Sequence, residues 1–353
     1  SAPITRGRMP FTAEGRDLPA LSGATAAPVL SFAGEVCRGA RVISAENTGL
    51  EARCNMAQQQ DEIRLIDAHV HVSEKPGTLR RGPDCFCTPE ELIGRYDEIG
   101  VEKGVLQPLV SPESYLPQSN EEILAICREH PERFIPFCNV DPRVATTVPP
   151  VSLGEILEHY RDAGCCGIGE VMPNLDFRNR KMRDLFAAAE ELKMPLCFHI
   201  APQPEDAYGV YDEPGLPGLQ RALESYPSLV FLGHSQAFWA EMAPLRMPGD
   251  RYGYPDYPVE KEGVIPRMMR RYPNLYGDLS AGSGYYALTR DPDYAVEFIE
   301  EFQDRLLFGT DICAPDTETP LVGFLRGLLS ENRISPKAYR KIARENIIEL
   351  LNL

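Results

Sequence analysis

No stretch of this sequence holds the roughly 18 consecutive apolar residues that a membrane-spanning helix requires, so no membrane partner is expected. Basic charge is scarce: 36 Lys and Arg stand against 52 Asp and Glu, a formal net charge of −16. A phosphate backbone calls for a basic face, and this balance argues against a nucleic-acid partner. No Gly-x-Gly-x-x-Gly string opens a helix after the first strand, which removes the signature of a dinucleotide-binding open sheet. The ten cysteines do not make a disulfide framework in a chain of this size. Cys138, Cys165, Cys166 and Cys197 fall in apolar runs, where Cys acts as a small buried hydrophobe. They read as reduced thiols and the protein as cytoplasmic. Cys85 and Cys87 read as two free loop thiols. Histidine is rare, six in 353 residues, so the places where it does occur carry weight.

Residues 1–61 contain no Lys and are rich in Ala, Gly, Ser and Pro, with no sustained period. Arg6 and Arg8 precede no apolar core of useful length, so a secretory signal is not expected. The segment reads as an N-terminal extension, either packed on the domain that follows or lying upstream of a start at Met56.

From residue 62 to 353 the pattern is regular. Short apolar runs alternate with amphipathic stretches, at 64–72, 103–110, 134–140, 165–171, 195–201, 228–235, 274–280 and 305–311. Helix starts separate them. Thr88-Pro89-Glu90-Glu91 offers an N-cap, Pro at the first helical position and acids in the first turn. Ser119-Asn120-Glu121-Glu122 reads as a capping box, and Ser335-Pro336 starts the last helix. Eight such alternations with nearly continuous apolar strands predict a parallel sheet closed as an α/β (β/α)8 TIM barrel.

In such a barrel the chemistry sits at the C-terminal ends of the strands. The first strand ends in His69 and His71; alternation puts residues i and i+2 of a strand on one face, so both imidazoles point the same way. The fourth strand carries Glu170, the fifth His199, the sixth His234 and the eighth Asp311. His130 and His159 lie in helical stretches and read as surface residues. Imidazoles and carboxylates ending buried apolar strands are costly unless paired or bound to metal. Six of them at one barrel mouth share an explanation in a divalent metal.

The order His-x-His, His, His, Asp on strands one, five, six and eight resembles the amidohydrolase superfamily. The strings IDAHVHV, FHIAP, FLGHS and FGTD are most similar to its amidohydrolase-related branch, which includes aminocarboxymuconate-semialdehyde decarboxylase, resorcylate-type decarboxylases and many hydrolases. The resemblance covers residues 62–353. It implies that His69, His71, His199 and Asp311 are metal ligands and that His234 handles protons. Many members carry a carboxylated lysine on strand four; here Glu170 holds that place. Glu170 could bridge two metals, as in the GEIGLD string of TatD-type nucleases, hydrogen-bond a metal-bound water, or orient His199. One metal is the preferred reading over two. Three imidazoles and a carboxylate suit Zn²⁺ first, then Mn²⁺ or Fe²⁺.

The expected activity is metal-dependent hydrolysis of a small-molecule amide, ester or lactone, with His234, Asp311 and Glu170 as catalytic groups. The alternative is a metal-dependent non-oxidative decarboxylase of a small carboxylic acid, aromatic or not, and a TatD-like phosphodiesterase ranks third. The partner is thus a small-molecule substrate. Lys75, Arg80 and Arg81 read as loop charges that a substrate carboxylate could use. Segment 236–258, with Phe238, Trp239, Tyr252, Tyr254 and Tyr257, reads as a lid, an aromatic wall, or the contact of a homo-oligomer. Ser280 to Gly284 is small and flexible, leaving room for a ligand.

Overall fold

The computed structural model describes residues 63–75, 86–114, 116–144 and 151–353. The expectations for residues 1–61 (Met56 included), Arg80, Arg81 and Cys85 lie outside these residues. No helix among the described residues is long and apolar enough to cross a membrane.

Among the described residues the eight expected strands are all present, and a ninth, two residues long, adds to them. They are β1 (Leu65–Val70), β2 (Val101–Leu106), β3 (Phe134–Pro136), β4 (Ile168–Val171), β5 (Leu196–Ala201), β6 (Val210–Tyr211), β7 (Phe231–His234), β8 (Leu275–Asp278) and β9 (Leu306–Leu307). Every ladder is parallel. One sheet runs β1-β2-β3 and the other β4-β5-β7-β8-β9, with the short β6 on β5. A bridge from Cys138 to Ile168 joins them on one side. On the other, Ala68 N–H donates to the Phe308 carbonyl at 2.9 Å and Asp311 N–H to the His69 carbonyl at 2.8 Å. The sheet closes on itself as the (β/α)8 TIM barrel the alternation predicts.

Alternation along the strands sorts core from site. Cys197 and Leu232 join Ile66, Val105 and Leu307 in a cluster that Ile347 and Leu351 of the C-terminal helix complete. Two residues further along β5 and β7 come His199 and His234, which are partners in the ladder register. Phe198 and Phe231, at the alternate positions of the two strands, face the helices, where Phe177 and Phe186 pack edge-on against them.

The helix starts follow the caps. Thr88 and Glu91 form the reciprocal capping box of the helix Pro89–Ile99, and Ser335 caps Pro336–Arg340. Ser119 caps Asn120–Glu129, but the box is half formed. The Glu122 carboxylate accepts instead from Ser73 Oγ at 2.9 Å and Glu74 N–H at 2.8 Å, tying the helix to the loop after β1. Cys87, Cys127, Cys138, Cys165, Cys166 and Cys197 are free thiols.

Candidate metal centre

His69 and His71 leave β1 with their Nε2 atoms 3.1 Å apart. The other ring nitrogens are taken: His69 Nδ1 stands 2.6 Å from Asp278 Oδ2, and His71 Nδ1 2.8 Å from the Gln107 carbonyl. A carbonyl only accepts, so His71 carries its proton on Nδ1 and, when neutral, aims a lone pair inward from Nε2. Asp311 Oδ1 lies 3.2 Å from His71 Nε2 and 3.8 Å from His69 Nε2. Glu170 Oε2 lies 3.4 and 3.7 Å from the same two atoms. Ligands about 2.1 Å from a tetrahedral metal are separated by roughly 3.4 Å. These donors have that spacing, all but the partly exposed Asp311 are buried, and their lone pairs and negative charges converge. A divalent cation fits such a set.

Glu170 divides its two oxygens. Oε1 meets His199 Nδ1 at 2.7 Å and lies 3.7 Å from His234 Nε2. Among the described residues, two clusters with mutual ligand-atom spacing under 4.8 Å face this centre, His69–His71–Asp311 and His69–Glu170–His234. His199 is thus connected to the centre through Glu170, while the other expected ligands surround His69 directly.

Asp278 was not among the residues expected from sequence. It ends β8, fully buried, with Oδ2 2.6 Å from His69 Nδ1 and 3.6 Å from His234 Nδ1. Ser280 Oγ lies 3.0 Å from the same His234 nitrogen. The available signal was the one used elsewhere: a carboxylate closing the apolar run Leu275-Tyr276-Gly277.

The electrostatics follow from this crowding. Burial alone would lower the His69 imidazole, but the Asp278 charge holds it well above its usual 6.5. His71 is opposed by burial too, and raised by Asp311 and Glu170. Burial works to raise Glu170 and Asp311, yet hydrogen bonds from His199 and His71 respectively win; Glu170 sits well below its ordinary range and Asp311 at about 2. His234 moves the other way, to about 4, because burial and the nearby His69 both disfavour its cation.

A second layer fixes Asp311. The Asp67 carboxylate accepts from His69 N–H at 3.0 Å, Thr310 N–H at 2.9 Å, Tyr96 O–H at 2.7 Å and the Thr310 hydroxyl. It therefore clamps β1 to the turn after β9, where Asp311 has a left-handed backbone, φ 54°. Gly209, φ 108°, lets the loop after β5 approach His199; a Cβ there would lie 2.8 Å from the ring.

Two lobes of a cavity open on the cluster. The inner lobe, about 150 Å³, is bounded by His71, Glu170 and Asp311, by Phe86, Leu109 and Met172, and by Glu113 and Ser114. The outer lobe, about 530 Å³, is bounded by Gln236, Tyr254, Ser283 and Asp316. His199, Tyr208, His234 and Asp311 line both. Lys75 is exposed and lines neither.

Two loop expectations are corrected. Gln236–Trp239 is helical, and Phe238 and Trp239 are core residues rather than a lid. Trp239 Nε1 donates to the Asp278 carbonyl at 2.8 Å, which anchors the segment beneath the site. Residues 281–289 form a helix, so Ser280 to Gly284 is small but ordered, with Gly284 against the Leu279 backbone.

The chain matches the family model described as "Amidohydrolase" over residues 66–353. No curated protein matches it. Three solved structures illustrate the likeness. An uncharacterized TIM-barrel protein of Bordetella bronchiseptica is 18% identical, over 86% of this chain and 91% of that one, TM-score 0.50. A probable 2-pyrone-4,6-dicarboxylic acid hydrolase of Acinetobacter baumannii with citric acid bound is 16% identical, over 82% and 100%, TM-score 0.51. The 5-carboxyvanillate decarboxylase of Sphingomonas paucimobilis is 16% identical, over 82% and 99%, TM-score 0.50. At such identities the likeness speaks to the fold.

Proposed function

The chain belongs to the amidohydrolase family, and from that premise we propose that it is a metal-dependent carboxy-lyase that removes CO₂ without oxidation from a small aromatic carboxylic acid. The observation that carries this reading is the inner lobe. Its roughly 150 Å³ lies between an apolar wall and the imidazole–carboxylate cluster. A cavity of about that volume has room for one benzene ring, with Phe86, Leu109 and Met172 as its apolar contacts. A ring seated against Phe86, Leu109 and Met172 would present its carboxyl group to the cluster. The decarboxylase among the similar structures supports the same choice.

His69, His71, Asp311 and Glu170 would hold the metal, with Zn²⁺ or Mn²⁺ suiting two imidazoles and two carboxylates. When bound, such a cation supplies the positive charge that fixes the substrate carboxylate and draws electron density from the ring. Asp278 keeps the His69 ring oriented and its inner nitrogen free. Phe86, Leu109 and Met172 exclude water from the ring, which weakens solvation of the carboxylate. As the C–C bond breaks, its electron pair stays on the ring carbon and takes up a proton. His234, steadied at Nδ1 by Ser280, is the group we assign to deliver it, regaining its own from solvent through the outer lobe.

A second reading, hydrolysis of a lactone, ester or amide, draws on one different observation. The cluster lies at the junction of two lobes, so a bond there could have a product on each side. The pyrone hydrolase among the similar structures fits it. One experiment separates the two: metal-loaded protein is given carboxyl-labelled hydroxybenzoates and a matched panel of lactones and aryl amides. Labelled CO₂ with no water consumed supports the lyase; ring opening or amide cleavage with no labelled CO₂ rejects it.

A further inference from the structure

We infer that the substrate's reacting carboxyl group is flanked on both sides: its ring fills the inner lobe, and a polar arm ortho to the carboxyl, ending in a hydrogen-bond donor, occupies the outer lobe. The inference rests on the carboxy-lyase reading and adds to it the shape and polarity of the substrate.

The two lobes are unequal, and the outer one carries the larger share of polar groups away from the cluster. The inner one is ring-sized, with an apolar wall; the outer one holds about 530 Å³, more than three times as much. His199, His234 and Asp311 border both, so the reacting group sits at the waist between them. Tyr208 stands at the same waist, its ring 4.6 Å from that of His199 and tilted by 52°. A substituent para to the carboxyl points away from the waist, deeper into the inner lobe. One ortho to it points through the waist.

The outer lobe is built to meet a polar group. Gln236, Tyr254 and Ser283 bring amide and hydroxyl groups, and Asp316 a carboxylate. Asp316 is exposed and its carboxylate only accepts, so an arm that reaches it donates. A second carboxylate on the arm would meet Asp316 as a like charge. The lobe is also preformed. The helix carrying Gln236 is anchored by the buried Trp239, and Tyr254 stacks on Tyr286 at 4.7 Å. Ala314 on its wall leaves the space that the arm needs.

The test is calorimetric binding to the Zn²⁺-loaded protein of benzoate, 2-(2-hydroxyethoxy)benzoate, its 4-substituted isomer and 2-(carboxymethoxy)benzoate. The ortho hydroxyl arm is expected to tighten binding about tenfold over benzoate, the yield of one or two hydrogen bonds. The para isomer should bind more weakly than benzoate, and the ortho carboxylate arm should gain nothing. Ala314→Phe, at a partly exposed position, should erase the ortho gain and leave benzoate within about twofold. A para isomer as tight as the ortho one, or an ortho gain that survives in Ala314→Phe, overturns the inference. The wild-type series decides alone if that variant does not fold. Benzoate binding without an ortho gain defeats this inference only; no benzoate binding at all defeats the carboxy-lyase reading with it.

Discussion

Asp278 Oδ2 stands 2.6 Å from His69 Nδ1, and both groups are buried to within 1% of full burial. The pair sets which His69 nitrogen faces the centre. Its neighbour His71 is set in the same way by a backbone carbonyl. The two rings therefore differ in how much a single substitution can disturb them.

Asp278→Ala should weaken metal binding by about 10- to 100-fold, the usual effect of removing a carboxylate behind a ligating His. Competition with a chromophoric chelator measures it. An unchanged affinity would mean that the His69 orientation is held by packing alone.

Asp67→Ala should cost about 3 kcal/mol or more in chemical denaturation. It strands the buried Tyr96 hydroxyl and the Thr310 N–H that the carboxylate now satisfies. Asp67→Asn keeps an acceptor for the two backbone N–H groups and should recover part of the loss. Equal losses in the two variants would contradict this account of the clamp between β1 and Asp311.

Glu241 gives a pH dependence away from the metal. Burial raises it from 4.5 to about 7, against hydrogen bonds from the Gly215 N–H and the nearby Arg251 charge, with Asp212 close by. A carboxyl raised on folding contributes stability that is full below 4.5 and lost as the pH climbs through about 7. Between pH 4.5 and 7, Glu241→Gln should therefore gain on the wild type, by at most on the order of 3 kcal/mol. Melting curves of both proteins across that range check it; a difference that does not move with pH rejects the shift.

Zn²⁺ or Mn²⁺ at 100 times its Kd should stabilise the chelator-stripped protein by about 2.7 kcal/mol. The double variant His69→Ala, His71→Ala should lose that response. Thermal melts with and without metal are the measurement, and an equal rise in the double variant would place the cation elsewhere.

The barrel was legible because most strands are short, largely apolar runs and several of the amphipathic stretches between them open on a cap, as at Thr88, Ser119 and Ser335. The residues around the metal centre were legible because an imidazole or carboxylate closes such a run: His69, Glu170, His199 and His234 all do so. Asp278 closes one in the same way, but what marks it is its partner His69, 209 residues away in sequence, and that pairing exists only once the barrel closes. Trp239 shows the opposite limit. An aromatic after a strand end reads equally as lid or core, and the difference lies in whether its indole meets the Asp278 carbonyl. Glu122 satisfies a capping pattern yet spends its carboxylate on Ser73 and Glu74, because the loop after β1 offers two donors at closer reach. The lobes of the cavity are made by residues from many loops, so neither volume nor polarity could be read from any one segment.

The central claim is a divalent cation among His69, His71, Asp311 and Glu170. Its most direct test is a crystal of Zn²⁺-loaded protein, with anomalous maps recorded on both sides of the zinc edge. The account predicts a strong peak, present only above the edge, in bonding contact with Nε2 of His69, Nε2 of His71 and Oδ1 of Asp311. No peak at that position, or one seated solely on other side chains, would contradict it.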